Sequence, residues 1–135
     1  MEADDLIVGE MRVAAEAAMN NAYCRYSKFR VGAAVLLEGG EIFSGCNVEN
    51  ASYGLTMCAE RNAIFQAVAR GLRKLKAVVI VTPTDKSTPP CGACRQVISE
   101  FGPDAEIFVF GSGSVAQQWK LSDLLPDAFG PQDLE

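Results

Sequence analysis

The sequence predicts a three-layer α/β/α domain on a mixed five-stranded sheet, and three observations predict it. Helical and extended patterns alternate along the chain. Two short, continuously apolar runs have the character of strands buried on both faces. Gly and Pro mark nearly every change of pattern.

Each element has its own warrant. Residues 4–22 carry Leu6, Met11, Ala14, Ala15, Ala18 and Met19 at three- and four-residue spacing, with Glu10 and Glu16 off that face, which predicts an amphipathic helix. After an irregular connector at 23–28, residues 30–37 and 41–46 read as two strands of a hairpin about Glu38-Gly39-Gly40. Residues 47–57 have no period and form a loop. Residues 58–70 predict a second helix, with Thr56 as its cap and Gly71 as its stop. Ala77-Val78-Val79-Ile80-Val81 is the first buried strand, and residues 83–90 form a loop. Residues 91–101 predict a third helix, opened by Pro89-Pro90 and closed by Gly102-Pro103. Residues 105–111 give the second buried strand, 111–114 a turn and 118–121 a short edge strand, and Ser122 caps a short turn before Pro126. Two strand–helix–strand units predict parallel pairing. With no repeat or linker, residues 1–135 are expected to form one domain.

Composition narrows the function. Of 135 residues, 49% are hydrophobic and 21% charged, as in a folded globular chain. No run approaches the roughly 20 apolar residues of a membrane span, and residues 1–5 show no secretory signal, so the expected location is the cytoplasm with no membrane partner. The net charge of −5 disfavours a phosphate backbone; the one basic cluster, Arg70 to Lys76, suits a helix C-terminus instead, so no nucleic-acid partner is expected. Histidine is absent, which removes imidazole catalysis and imidazole metal ligands. Any zinc site must use thiolates and carboxylates. The five cysteines are an odd number and argue against a disulfide framework.

The cysteines also have positions. Cys58 opens one predicted helix, and Cys91 and Cys94 open the next. Helix N-termini lower thiol pKa values and so favour the thiolate that a metal requires. Three thiolates would leave a tetrahedral Zn²⁺ one open position, the mark of a catalytic site. Closure by Cys24 or Cys46 would instead make a structural site, and Cys91-x-x-Cys94 by itself could be a redox dithiol. The redox reading explains neither Cys58 nor Glu60. Glu60, two residues after Cys58, is placed to exchange protons with water at the metal without binding it. Three thiolates leave the centre with excess negative charge, and Arg61 and Arg95 are expected to donate hydrogen bonds to the sulfurs.

These residues carry a resemblance. Cys58-Ala59-Glu60-Arg61 with Pro90-Cys91-Gly92-Ala93-Cys94-Arg95-Gln96 resembles the cytidine deaminases of pyrimidine salvage, in their three-cysteine, homotetrameric branch. Tyr26 to Ala34, Gly45 to Ala51, and Leu124-Leu125-Pro126 with Phe129-Gly130-Pro131 look like further motifs of that family. The resemblance implies hydrolysis of cytidine and deoxycytidine to uridine and deoxyuridine plus ammonia. One zinc per subunit would sit on Cys58, Cys91 and Cys94, with Glu60 as proton shuttle. Ala59 would offer its N–H to the pyrimidine, Asn47 and Glu49 would bind the ribose, and Phe29 would pack on the base. Ala51, Tyr53 and Phe129 would reach a neighbouring subunit's pocket in a homotetramer with shared sites. Arg25, Arg30 and Asn62 depart from the family's usual residues. The acidic charge and the Asn47-x-Glu49 pair favour a free nucleoside over a polynucleotide or a modified antibiotic nucleoside.

Overall fold

The first helix forms where its apolar spacing requires. α1 spans Asp5–Met19, and the Asp4 side chain caps it by accepting from the Ile7 N–H at 2.8 Å. Its buried face, Val8, Met11 and Ala15, lies on the sheet. The structure is a computed structural model that describes residues 3–113 and 116–135; Ser114, the end of the expected 111–114 turn, lies outside the described residues.

The strands are β1 (Gly32–Leu37), β2 (Ile42–Cys46), β3 (Leu75–Val81), β4 (Glu106–Phe110) and β5 (Ala116–Lys120), in spatial order β2-β1-β3-β4-β5. β3 and β4 pair in parallel, and the other neighbours pair antiparallel. The expected parallel pairing thus holds directly for the unit that crosses over between β3 and β4. In the earlier unit β2 and β3 run the same way, but β1 lies between them. Burial explains the insertion: all six β1 residues are buried, whereas most of β2 is only half-buried and suits an edge.

Alternation along the central strands makes two cores. Ala34, Leu36, Ala77, Val79, Val81, Phe108 and Phe110 face α1. Val35, Leu37, Val78, Ile80, Ile107 and Val109 face the other way, onto Ala63, Ile64 and Ala67 of α2 (Ala59–Ala69), Ile98 of α3 (Gly92–Phe101) and Leu121 of α4 (Leu121–Leu124). This is the expected three-layer, mixed-sheet architecture. One expectation is corrected: α2 is capped by Cys58 rather than Thr56, because Thr56 ends a 3-10 turn at Tyr53–Leu55 and stays extended.

The start of α2 sits unusually close to β2. A Cβ on Gly45 would meet the Ala63 nitrogen at 2.7 Å and the Ala59 oxygen at 2.9 Å. Asn62 Nδ2 donates to the Cys46 carbonyl at 2.8 Å and Gln66 Nε2 to the Ser44 carbonyl at 2.7 Å, which pins the helix along the strand. Only glycine lets the first turn of α2 rest there. Gly45→Ala should push that turn outward, cost about 1–3 kcal/mol in denaturant unfolding, and reduce zinc content measured on the same sample.

Candidate active site

Two helix starts build the centre. Cys58 and Cys91 are the N-caps of α2 and α3, both with extended backbone and neither using its side chain to cap. Their sulfurs are therefore not spent on capping, and the first-turn N–H groups behind them are unsatisfied by the helix itself. Cys94 follows on the first turn of α3 and is fully buried. The Cys58 and Cys91 sulfurs are 4.0 Å apart, those of Cys91 and Cys94 3.5 Å, and all three lie within 4.8 Å of one another. Tetrahedral zinc with Zn–S bonds of about 2.3 Å requires sulfurs about 3.8 Å apart, so the donor set fits the ion. The cluster includes neither Cys24 nor Cys46. A closed four-sulfur centre has no fourth sulfur in place.

The charges around the sulfurs are uneven. Hydrogen bonding with Cys94, and then the Arg61 guanidinium, bring the Cys58 thiol down to about 5. The same sharing, reinforced by burial and by Glu60, pushes the Cys94 thiol up. Arg61 Nη2 donates to Cys58 Sγ at 3.3 Å, as expected, and contact with that sulfur raises the guanidinium's own pKa. Arg95 is placed differently from the expectation. Its Nε donates to the Pro90 carbonyl at 2.8 Å and its Nη1 to the Leu124 carbonyl at 3.0 Å. The side chain satisfies two backbone acceptors instead, so among the described hydrogen bonds Arg61 is the guanidinium on sulfur.

Glu60, in the first turn of α2, is only 5% exposed. Burial lifts its carboxyl above the usual range, and the nearby Cys58 thiolate adds to the lift. Both effects disfavour its charged form and so favour a carboxyl that holds a proton.

A cavity of about 270 Å³ opens over these groups, lined among others by Cys58, Ala59, Glu60, Cys91, Phe29, Asn47 and Glu49. Most of the expected site residues thus converge. The pairing of Tyr23 with Val48, and of Val48 with Met57, carries the Asn47–Glu49 segment there. Asn47 Oδ1 accepts from the Val31 N–H at 2.9 Å and its Nδ2 donates to the Phe29 carbonyl at 2.8 Å, which fixes the backbone on both sides of Arg30. One amide hydrogen and one lone pair remain for a ligand. Glu49 accepts from the Tyr26 and Ser27 N–H groups at 2.9 and 3.0 Å and from the Ser27 hydroxyl. That hydroxyl first, then the two N–H groups, hold its carboxyl below the usual range.

Ala51, Tyr53 and Phe129 lie outside this cavity's lining. Ala51 is exposed, Tyr53 is 75% exposed with its ring 5.9 Å from that of Tyr26, and Phe129 is 59% exposed with its carbonyl held by Gln96 Nε2 at 2.9 Å. Sequence reasoning missed Ser27, Val31, Thr56, Ile80, Thr82, Thr88 and Pro89, which also line the cavity. Ser27 and Val31 lie inside the Tyr26–Ala34 motif but had no role assigned; for Ile80 and Thr82 the signal was position at the carboxyl end of a parallel strand, where α/β sheets form their crevices.

Comparison with known proteins agrees with this geometry. A family model described as the cytidine and deoxycytidylate deaminase zinc-binding region matches residues 9–110. The cytidine deaminase of Halalkalibacterium halodurans is 46% identical over 118 residues, covering 87% of this chain and 89% of its own length. The crystal structure of cytidine deaminase from Burkholderia pseudomallei superposes with a TM-score of 0.85 at 47% identity, covering 90% of this chain and 98% of that one. The Mycobacterium tuberculosis cytidine deaminase structure gives 0.79 at 41% identity, covering 95% and 99%.

Two outcomes are expected from the geometry. Replacing Arg61 with Gln removes the cation on Cys58 Sγ and should weaken zinc affinity by about 10–100-fold in a chelator competition. Glu49 should titrate below its ordinary value of 4.5. Its stabilising contribution is therefore complete above that value and is lost as pH falls through the lowered one. Carboxyl-carbon NMR should find the Glu49 midpoint depressed in the native chain and returned toward the ordinary value by Ser27→Ala.

Proposed function

The chain belongs to the cytidine and deoxycytidylate deaminase zinc-binding family, and we propose that it hydrolyses cytidine and deoxycytidine to uridine and deoxyuridine with release of ammonia. The observation that carries this is a cluster of three thiol sulfurs, two of which, those of Cys58 and Cys91, line one cavity of about 270 Å³ together with the buried Glu60 carboxyl. Cys58, Cys91 and Cys94 would hold one Zn²⁺. The ion supplies the Lewis acidity that makes water nucleophilic near neutral pH.

The chain's own groups do the rest. Glu60 takes a proton from the attacking water, which adds to C4 of the cytosine ring. It delivers that proton to N3, then takes the proton of the new C4 hydroxyl and passes it to the exocyclic amino group; the C4–N bond breaks, ammonia leaves and C4 becomes the product carbonyl. Burial disfavours its charged form and so makes it readier to hold the proton it takes up. The Ala59 N–H, unsatisfied at the start of α2, is a donor for the pyrimidine carbonyl. Phe29 offers an apolar face to the base, and Asn47 and Glu49 offer acceptors and a donor to the ribose hydroxyls. Arg61 offsets the negative charge of three thiolates.

The remaining parts of the reading rest on the resemblance to relatives. Residues 1–135 act as one catalytic domain. The working form is a homotetramer in which Ala51, Tyr53 and Phe129 complete a neighbour's pocket; the large exposed faces of Tyr53 and Phe129 favour it. The substrate is a free nucleoside rather than a polynucleotide, and the site of action is the cytoplasm, in pyrimidine salvage. No helix among the described residues is long and apolar enough to cross a membrane.

Glu60→Gln separates chemistry from metal binding. Zinc should stay at one per chain, while cytidine turnover, followed by loss of the cytosine ultraviolet band, should fall by at least about 10²–10⁴-fold. A zinc-loaded wild-type chain inactive on cytidine and deoxycytidine would sink the proposal.

A further inference from the structure

Arg95 and Gln96 stand directly after the last sulfur ligand, and neither touches the metal centre through a described hydrogen bond. Both instead donate to backbone carbonyls. Arg95 spans Pro90 and Leu124, at 2.8 and 3.0 Å, and Gln96 reaches Phe129 at 2.9 Å. Pro90 immediately precedes Cys91. Leu124 is the last residue of α4, so its carbonyl has no partner inside that helix. The residue two further on is Pro126, which supplies no N–H. One planar guanidinium thus joins the approach to a metal ligand to the end of a helix, at a carbonyl 29 residues beyond Arg95 itself.

We propose that Arg95 is a positioning residue that couples the Cys91 turn to the C-terminal segment, residues 121–130, so that metal retention and the order of that segment support each other. The proposal rests on the zinc reading above. Three observations carry it. The arm is half-buried and so restrained. Its two acceptors belong to segments that share no other described hydrogen bond. Its fork geometry is required, because Nε and Nη1 each serve a different carbonyl. A lysine ammonium is a point donor and cannot reproduce the two directed bonds. Coupling of this kind is reciprocal: what the tether does for Cys91, it also does for Leu124. The segment so held carries Phe129, whose backbone Gln96 fixes independently.

The test uses zinc-loaded, full-length protein and two variants. Arg95→Lys should speed zinc release to a chromogenic chelator several-fold. It should also raise amide hydrogen exchange in residues 121–130 several-fold, with β3 and β4 unchanged. Gln96→Ala cuts only the Phe129 link, so it should loosen residues 128–133 and leave zinc release at the wild-type rate. Arg95→Lys with wild-type zinc release would overturn the coupling, because a purely local packing role loosens the segment alone. Equal acceleration of release by both variants would overturn it too, since the route through Pro90 would then be irrelevant. If the wild-type chain binds no zinc by elemental analysis, the reading of the site itself fails, a result distinct from either of these.

Discussion

Three sulfurs carried by two different helices have to meet around one point, and much of the fold answers that demand. A helix N-terminus is a suitable place to present a thiol, because its free N–H groups and partial positive charge favour the thiolate. Bringing two such termini together takes more. The crossover between β3 and β4 starts α3 where β3 ends, beside Ile80 and Thr82. The Gly45 contact and the Asn62 and Gln66 hydrogen bonds set α2 against β2 so that Cys58 arrives 4.0 Å from Cys91.

The choice of sulfur over imidazole then shapes the electrostatics. A chain without histidine has to assemble its metal centre from anionic donors, and three thiolates overcompensate a divalent cation. Arg61 answers part of that charge at 3.3 Å from Cys58. Glu60 is buried beside the same sulfurs, and its carboxyl is lifted rather than depressed. On the proposed reading the centre separates its functions: sulfur would hold the ion, the guanidinium would balance its charge and the carboxyl would carry protons. The walls are braced in a similar way: Asn47 uses one donor and one acceptor on the Phe29 and Val31 backbone, and Glu49 accepts from two backbone N–H groups and the Ser27 hydroxyl. They brace the cavity wall, and on the proposed reading would meet the ribose with the capacity that remains.

The sequence made some of this legible and hid the rest. The thiols and Glu60 could be read because Pro89-Pro90, Gly71 and Gly102 punctuate the helices that carry them, so position along the chain translated into position on a first turn. The two central strands could be read from their apolar runs. The insertion of β1 between β2 and β3 could not, since strand order depends on relative burial, and hairpin pattern alone leaves it open. Arg61 and Arg95 looked equivalent as neighbours of ligands. They diverge because a long side chain goes to whichever acceptor the tertiary fold leaves unsatisfied, and near Arg95 those acceptors are the Pro90 and Leu124 carbonyls. Val31, Thr82 and Thr88 carry no chemical signature of their own and enter the cavity only through the chain's folding.

The proposed reaction turns on an open metal position, without which water and substrate have no place to react. Zinc K-edge X-ray absorption on the purified holoprotein measures this directly. The account predicts three sulfurs at about 2.3 Å and one lighter oxygen or nitrogen neighbour. Four sulfurs in the first coordination sphere would mean that Cys24 or Cys46 closes the site, and would contradict it.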